Sequence, residues 1–260
     1  MSEVLTPRPA STILPLRDGA DGVEVLLLRR NLNSDFVGGA YVFPGGAVDA
    51  ADGAFEGRVV GLDDREASKR LGLAAGGLAY YVAALRELFE EAGLLVVGGS
   101  AGAQFVADPD VLGRWRDELN AGRCAFTDVL EDLGQTLDLR AVAYLSHWVT
   151  PVGPPRRFDT RFFVVEAPSD QVAGHDDGET VEHRWIRPRD ALEAAATGAL
   201  TMILPTIRNL ESIAEFARVA DALAWAGSPR AIACVEPRMV TREGATVVLL
   251  PGDEGYETVG

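Results

Sequence analysis

The sequence predicts a mixed α/β protein of 260 residues folded as an α/β/α sandwich. Three observations predict it. Strand-like and helix-like segments interleave along the whole chain, turn-forming glycines and prolines separate several of them, and one helical segment carries the apolar stripe of a helix laid on a packed surface. Taken in order, residues 11–16 and 23–30 read as two strands joined through Asp18-Gly19-Ala20-Asp21-Gly22, and residues 40–43 as a third that ends at Pro44. A short helix is expected at 63–71, then a break at Gly76-Gly77, then a helix closed by Gly93 in the left-handed C′ position. Residues 94–97 suit a strand, and 108–119 and 127–133 have helical spacing. Strands follow at 141–149, 161–166 and 180–186, and Pro188 and Asp190 open a helix at Ala191. One long amphipathic helix is expected over 205–224, and two last strands at 231–235 and 245–250. No repeat, low-complexity tract or linker interrupts the series. The expectation is a single domain over 1–260, with an insertion at about 53–76 and a C-terminal extension at about 205–260.

Composition bounds the function. A formal net charge of -15 is a poor starting point for binding nucleic acid backbones. No apolar run approaches the ~20 residues of a membrane span. The start of the chain lacks the basic and apolar regions of a signal peptide, and Thr258-Val259-Gly260 is no targeting address. The cytoplasm is therefore the expected compartment. Cys124 and Cys234 make neither a disulfide framework nor a metal-ligand spacing and read as buried free thiols. His147, His175 and His183 are too irregularly spaced for a zinc site.

The chemistry concentrates in Arg86-Glu87-Leu88-Phe89-Glu90-Glu91-Ala92-Gly93-Leu94. At about 100° per residue, Glu87, Glu90 and Glu91 project within an arc of about 100°. Like charges so close repel, and a hard divalent cation with oxygen ligands, Mg²⁺ above all, relieves them. Arg86 stands four before Glu90 and can steady one carboxylate. Tyr81, Leu85, Leu88 and Ala92 recur opposite at the spacing of a buried stripe. The plain alternative is a solvated acidic helix face.

Together with Phe43-Pro44-Gly45-Gly46, this stretch resembles the Nudix hydrolases, whose signature is G-x5-E-x7-R-E-U-x-E-E-x-G-U, with U aliphatic. The second half matches from Arg86 to Leu94; Gly46 fits the opening glycine, and Asp52 stands where the family usually has Glu. Asp52 precedes Arg86 by 34 positions where the signature has 8, so about 26 residues are inserted. The resemblance implies a Nudix α/β/α sandwich with a helical insertion in the box and a C-terminal extension. It also implies a Mg²⁺ (or Mn²⁺) cofactor on Glu87, Glu91 and Glu90 and a carbonyl of Gly45. Hydrolysis of a phosphoanhydride then needs a base; Glu90, Glu179 and Glu182 are the candidates, beside Arg86. The insertion, tethered at both ends to metal-site segments, is expected to fold over the glycine turn and shape the pocket.

Arg156-Arg157-Phe158 offers forked donors for a phosphate and a ring for a base; a loop arginine paired with Asp159 is the alternative. With Asp49 and Asp52 after the glycines, it is similar to the coenzyme A-cleaving, peroxisomal-type Nudix branch, which also carries a box insertion. A small-molecule nucleoside diphosphate derivative is thus the expected partner, with coenzyme A or acyl-coenzyme A first and ADP-ribose or another dinucleotide as alternatives. A non-catalytic Nudix-like nucleotide sensor is the reading from another class, and a homodimer stays open.

Overall fold

The computed structural model describes residues 5–32, 37–98, 105–106, 108–176, 178–242 and 245–258. The chain runs β1 (Arg8–Gly19), β2 (Gly22–Arg30), β3 (Tyr41–Val42), β4 (Gly45–Ala47), β5 (Val59–Val60), α1 (Asp64–Leu71), α2 (Gly77–Ala92) and β6 (Val97–Gly98). It continues with α3 (Pro109–Asn120), α4 (Phe126–Asp132), β7 (Thr136–Asp138), β8 (Val142–Val149), β9 (Phe158–Glu166) and β10 (Thr180–Ile186). Last come α5 (Pro188–Ala196), α6 (Leu204–Ile213), α7 (Val219–Gly227), β11 (Cys234–Val235), β12 (Arg238–Arg242) and β13 (Ala245–Leu249).

A mixed sheet in the order β10-β2-β1-β9-β8-β11 divides the molecule, with β3 on β2 and β4 on β1. Side chains alternate across it, as a strand's period of two requires. Ile13, Leu26, Leu28, Phe163 and Val165 join a core with α2, while Leu14, Leu16, Leu27, Phe162 and Val164 join a second core with α5, α6 and α7. Two apolar layers on one sheet are the expected sandwich. Strand β1 changes partners along one edge: Leu16 to Gly19 pair with β2, and Ala10 to Thr12 with β4. Pro15, which has no N–H to give a ladder, falls between the two pairings. That split brings the glycines of β4 alongside α2.

The box insertion carries β5 and α1. Phe55, Leu62, Ala67 and Leu71 enter the α2-side core, and β5 joins β7 and β6 in a small separate sheet. The tail carries the hairpin β12–β13, in which Met239 stands opposite Val248.

Several expectations need correction. The helix over 205–224 is two helices, because the Val219 N–H is taken by Asp18 Oδ1 at 2.8 Å, which starts a new helix on the β1–β2 turn. Residues 94–96 form no strand: the Gln171 side-chain amide bonds both backbone groups of Leu95, at 2.7 and 2.9 Å, in place of a neighbouring strand. Only Cys234–Val235 of the run 231–235 pairs, with β8. The thiols are not buried: Cys124 is partly exposed and Cys234 exposed. Strands β4, β5, β7 and β12 were too short or too polar to read. No helix among the described residues is long and apolar enough to cross a membrane.

Candidate active site

Helix α2 has Gly76 as its N-cap, which brings no side chain to the unpaired amides of the first turn. Helix α1 supplies what is missing. Asp64 accepts the N–H of Leu78 at 2.9 Å and of Gly76 at 3.0 Å, and Ser68 Oγ accepts that of Gly77 at 2.9 Å. The Leu78 amide, then that of Gly76, holds the Asp64 carboxyl below the usual carboxylate range. A side chain at Gly77 would run into the Ser68 backbone, so the two helices meet main chain to main chain. At the other end Gly93 is left-handed, with φ 71°. Arg116 and Asn120 of α3 donate to the Glu90 carbonyl at 2.8 and 3.1 Å, and Arg116 also reaches the carbonyl of Glu91. A cation is well placed against the negative end of the helix dipole. Fourteen of the 16 residues of α2 are buried, and the other two, Glu87 and Glu90, are only partly exposed, so the carboxylates do not ride a fully solvated face.

Arg86 organises them. Its Nε and Nη2 donate to the two oxygens of Asp52 at 2.9 and 3.0 Å, and Nη1 to Glu87 at 2.8 Å and Glu90 at 2.7 Å. Nη2 also reaches the Ala47 carbonyl at 2.9 Å, fixing the end of the glycine strand. Asp52 is 1% exposed, so the acidic position before the insertion closes the box across the 34-residue gap. Burial works against the charge of Arg86, but Asp52 and the helix carboxylates outweigh it and raise its pKa.

Burial pushes Glu87 up to about 7 despite the pull of Arg86, and raises Glu90 as well. Glu91 lies well above the carboxylate range, first through burial and then through the charge of Glu87. Its Oε2 accepts the Gly45 N–H at 3.1 Å. A side chain at Gly46 would push the Glu87 carboxylate from its place. Among the described residues no group of three or more His, Cys, Asp or Glu side chains forms a ready-made ion cage. One buried and one partly buried carboxylate, mutually repelling and beside a backbone turn, are nonetheless a donor set that fits Mg²⁺. This ion is commonly held by one or two carboxylates, with substrate phosphates and water completing its shell.

A cavity of about 490 Å³ opens on this face, lined by Glu87, Gly45 and Gly46 together with Arg30, Arg156, Phe158 and Glu179. Glu179 acts through its charge on both Glu87 and Glu91. The structure thus gathers Glu87, Glu91, Gly45, Glu179, Arg156 and Phe158. Three other candidates are placed elsewhere. Glu182 is tied to Arg29 at 3.5 Å and Arg184 at 3.0 Å, away from the cavity lining. Glu90 is held by Arg86 and does not line the cavity. Arg157 spends its guanidinium on the carbonyls of Thr150 and Leu5, at 3.0 and 2.7 Å, and on Glu236, so it is a fastening rather than a phosphate donor. The insertion is also corrected: none of residues 53–76 lines the cavity. Sequence reasoning missed Met239 and Val248, which do line it. The one signal was the strand-like run containing Val248, which carries no chemistry of its own.

Comparison with known proteins places the chain in a family. A family model described as the NUDT19 Nudix domain matches residues 62–213. The human acyl-coenzyme A diphosphatase NUDT19 is 30% identical over 290 residues, which cover 96% of this chain and 76% of that protein. Its Xenopus laevis counterpart is 28% identical over 270 residues, covering 90% and 71%. A crystal structure of a Nudix hydrolase from Alicyclobacillus acidocaldarius superposes with a TM-score of 0.72 at 29% identity, over 86% of this chain and 99% of that one.

Proposed function

This chain belongs to the Nudix hydrolases, in the family of the NUDT19 Nudix domain, and on that premise we propose that it cleaves the diphosphate of coenzyme A or acyl-coenzyme A. The products are 3′,5′-ADP and phosphopantetheine or its acyl form. The observation that carries the reading is one cavity in which the carboxylate-bearing helix, a cationic fork and a planar ring are lined up: Glu87, Arg156 and Phe158.

The chain acts in this proposal as a single catalytic domain. Glu87, Glu91 and the Gly45 backbone hold a divalent cation, Mg²⁺ or Mn²⁺. When bound, it supplies positive charge for the phosphoryl oxygens and polarises the attacking water. Arg86 keeps Glu87 turned to the cavity and Glu90 away from it, and the caps at both ends of α2 keep the carboxylates from drifting. Glu179 takes the proton, since it lines the cavity where Glu182 and Glu90 do not. Arg156 receives the 3′-phosphate, and Phe158 stacks on the adenine.

The test is product analysis on a panel of nucleoside diphosphate derivatives with Mg²⁺ or Mn²⁺. Release of 3′,5′-ADP from coenzyme A forms, with dephospho-coenzyme A the poorer substrate, is expected. A preference for ADP-ribose would move the substrate while leaving Nudix chemistry in place. Tight binding without turnover of any compound would favour a sensor.

A further inference from the structure

We propose that His175 and His183 form a second metal site, for a borderline transition ion of the Zn²⁺ class, which clamps the loop that brings Glu179 to the cavity. The site stands apart from the carboxylates of α2 and needs nothing from the substrate reading. Only its consequence for Glu179 touches the reaction.

The two histidines belong to no zinc motif in the sequence; the fold brings them together from two fixed elements. The Gly174 N–H donates to the Ala92 carbonyl at 2.9 Å, which pins the residue before His175 to the end of α2. His183 lies in β10, opposite Leu28 of β2. Their Nδ1 atoms face each other at 3.0 Å, with the ring centroids 5.3 Å apart. Two imidazole nitrogens on one Zn²⁺, each at about 2.0–2.1 Å, stand about 3–3.4 Å apart, so an ion enters between these rings with a shift of about 0.4 Å or less. Both side chains are partly exposed, and no third His, Cys, Asp or Glu among the described residues joins them, so water completes the shell. The donor type selects the ion. Neutral imidazole suits Zn²⁺, Cu²⁺ and Ni²⁺, whereas Mg²⁺ keeps to oxygen. Binding needs the neutral ring. Burial first, and then the charge of His175, hold His183 below its ordinary pKa. The Arg116 charge opposes a cation here, but its guanidinium is committed to the carbonyls of Glu90 and Glu91, and the net charge of -15 favours one. A proton shared between the rings gives the same separation, and metal titration distinguishes the two.

What the pair closes is a short loop. The Asp176 carboxylate accepts the N–H of Glu179 at 3.1 Å and of Thr180 at 2.7 Å, and the Thr180 hydroxyl at 2.7 Å. The Asn31 N–H donates to the Glu179 carbonyl at 2.8 Å. Glu179 stands midway between the two histidines in the chain and lines the cavity. An ion held by both rings therefore ties the two stems of the loop and fixes where its acidic residue is presented. The two elements that aim the rings are ordered before the ion arrives, so little is lost on binding.

The test titrates Zn²⁺ into the full chain by calorimetry in saturating Mg²⁺, which occupies the oxygen sites. Uptake of one Zn²⁺ per chain is expected, with an unfolding midpoint that rises with Zn²⁺, as for any ligand of the folded state alone. Cu²⁺, used as a probe, should show two nitrogen donors in its electron paramagnetic resonance spectrum. His175→Gln and His183→Gln keep a hydrogen-bonding side chain but should weaken Zn²⁺ binding at least about ten-fold. Circular dichroism reports whether the variants fold, and the wild-type titration stands without them. Absence of Zn²⁺ uptake by the native chain overturns the site. Uptake unchanged in the well-folded variants, or a Cu²⁺ spectrum without nitrogen donors, overturns it too. Uptake that leaves amide exchange at Gly178 to Thr180 unchanged overturns the clamp. Failure to cleave any coenzyme A form overturns the proposed function alone, because none of these readouts uses turnover.

Discussion

The box insertion and the C-terminal tail exchange the roles their positions in the sequence suggest. The insertion sits inside the catalytic motif and contributes nothing to the cavity lining, whereas the tail, remote from the motif, walls that cavity. What separates them is where each buries its apolar side chains. Phe55, Leu62 and Leu71 of the insertion go into the α2-side core, and Asp64 and Ser68 cap α2. The tail keeps Leu249 and Tyr256 buried but leaves Met239 and Val248 open. Closeness along the chain to the motif is thus a poor guide to which segment lines the cavity. One segment braces the carboxylate-bearing helix, and the other lines the cavity.

That division can be broken or sharpened by four measurements, ordered by expected size. The helix between the two regions sets the reference. Glu91→Gln and Glu87→Gln should each lower turnover about two to four decades. The unfolding midpoint should hold or rise, since each replaces a carboxyl that burial disfavours as an anion. Near-native turnover at saturating Mg²⁺ would remove the cation from this helix. Next, Phe55→Ala in the insertion should cost about 3–5 kcal/mol in chemical denaturation. KM should stay constant for every substrate; a substrate-dependent KM would mean that the insertion reaches the pocket after all.

Smaller effects separate the two adjacent arginines. Arg156→Met should cost about one to two decades in kcat/KM on coenzyme A and little on dephospho-coenzyme A, because a charge-assisted phosphate contact is worth about 1.5–3 kcal/mol. Arg157→Met should spare that discrimination and instead lower the unfolding midpoint by loosening the tail. Reversed results would restore Arg157 as the phosphate donor. The smallest effect is the helix cap: Asp64→Ala should cost about 1 kcal/mol at pH 7. The backbone amides of Leu78 and Gly76 lower its folded-state pKa, so its contribution is complete above the ordinary carboxylate range. The contribution disappears as pH falls from about 4 through the lowered value. Denaturation of variant and parent should therefore converge in acid, and a constant difference would place the effect elsewhere.

The sequence was most readable where one side chain type implies one environment. The stripe on α2, the closing Gly93 and the alternating strands β1, β2 and β9 were all apparent from periodicity or backbone constraint. So was the pairing of Arg86 with Glu90, because the i,i+4 spacing on a helix settles it; its second bond, to Glu87, was not. What escaped was whatever depends on partners distant in the chain. Arg157 looked like a phosphate ligand until Glu236, 79 residues on, claimed it. Residues 94–96 looked like a strand, but the Gln171 side chain stood where a neighbouring strand was expected. Met239 carries no signature, because an aliphatic residue in a binding wall has the same composition as one in a core.

The Asp52–Arg86 fork has one more consequence. Because charge, and not chain contiguity, holds the two halves of the motif together, the stretch between them behaves as a closed loop whose length is nearly free to vary. Lengthening it from 8 to 34 positions is about two doublings, which costs roughly 1.2 kcal/mol of closure entropy. A single capping carboxylate such as Asp64 offsets most of that. The interior of this motif is therefore a site of easy evolutionary grafting. Segments can enter, grow and be replaced between Asp52 and Arg86 while the reacting groups stay in register.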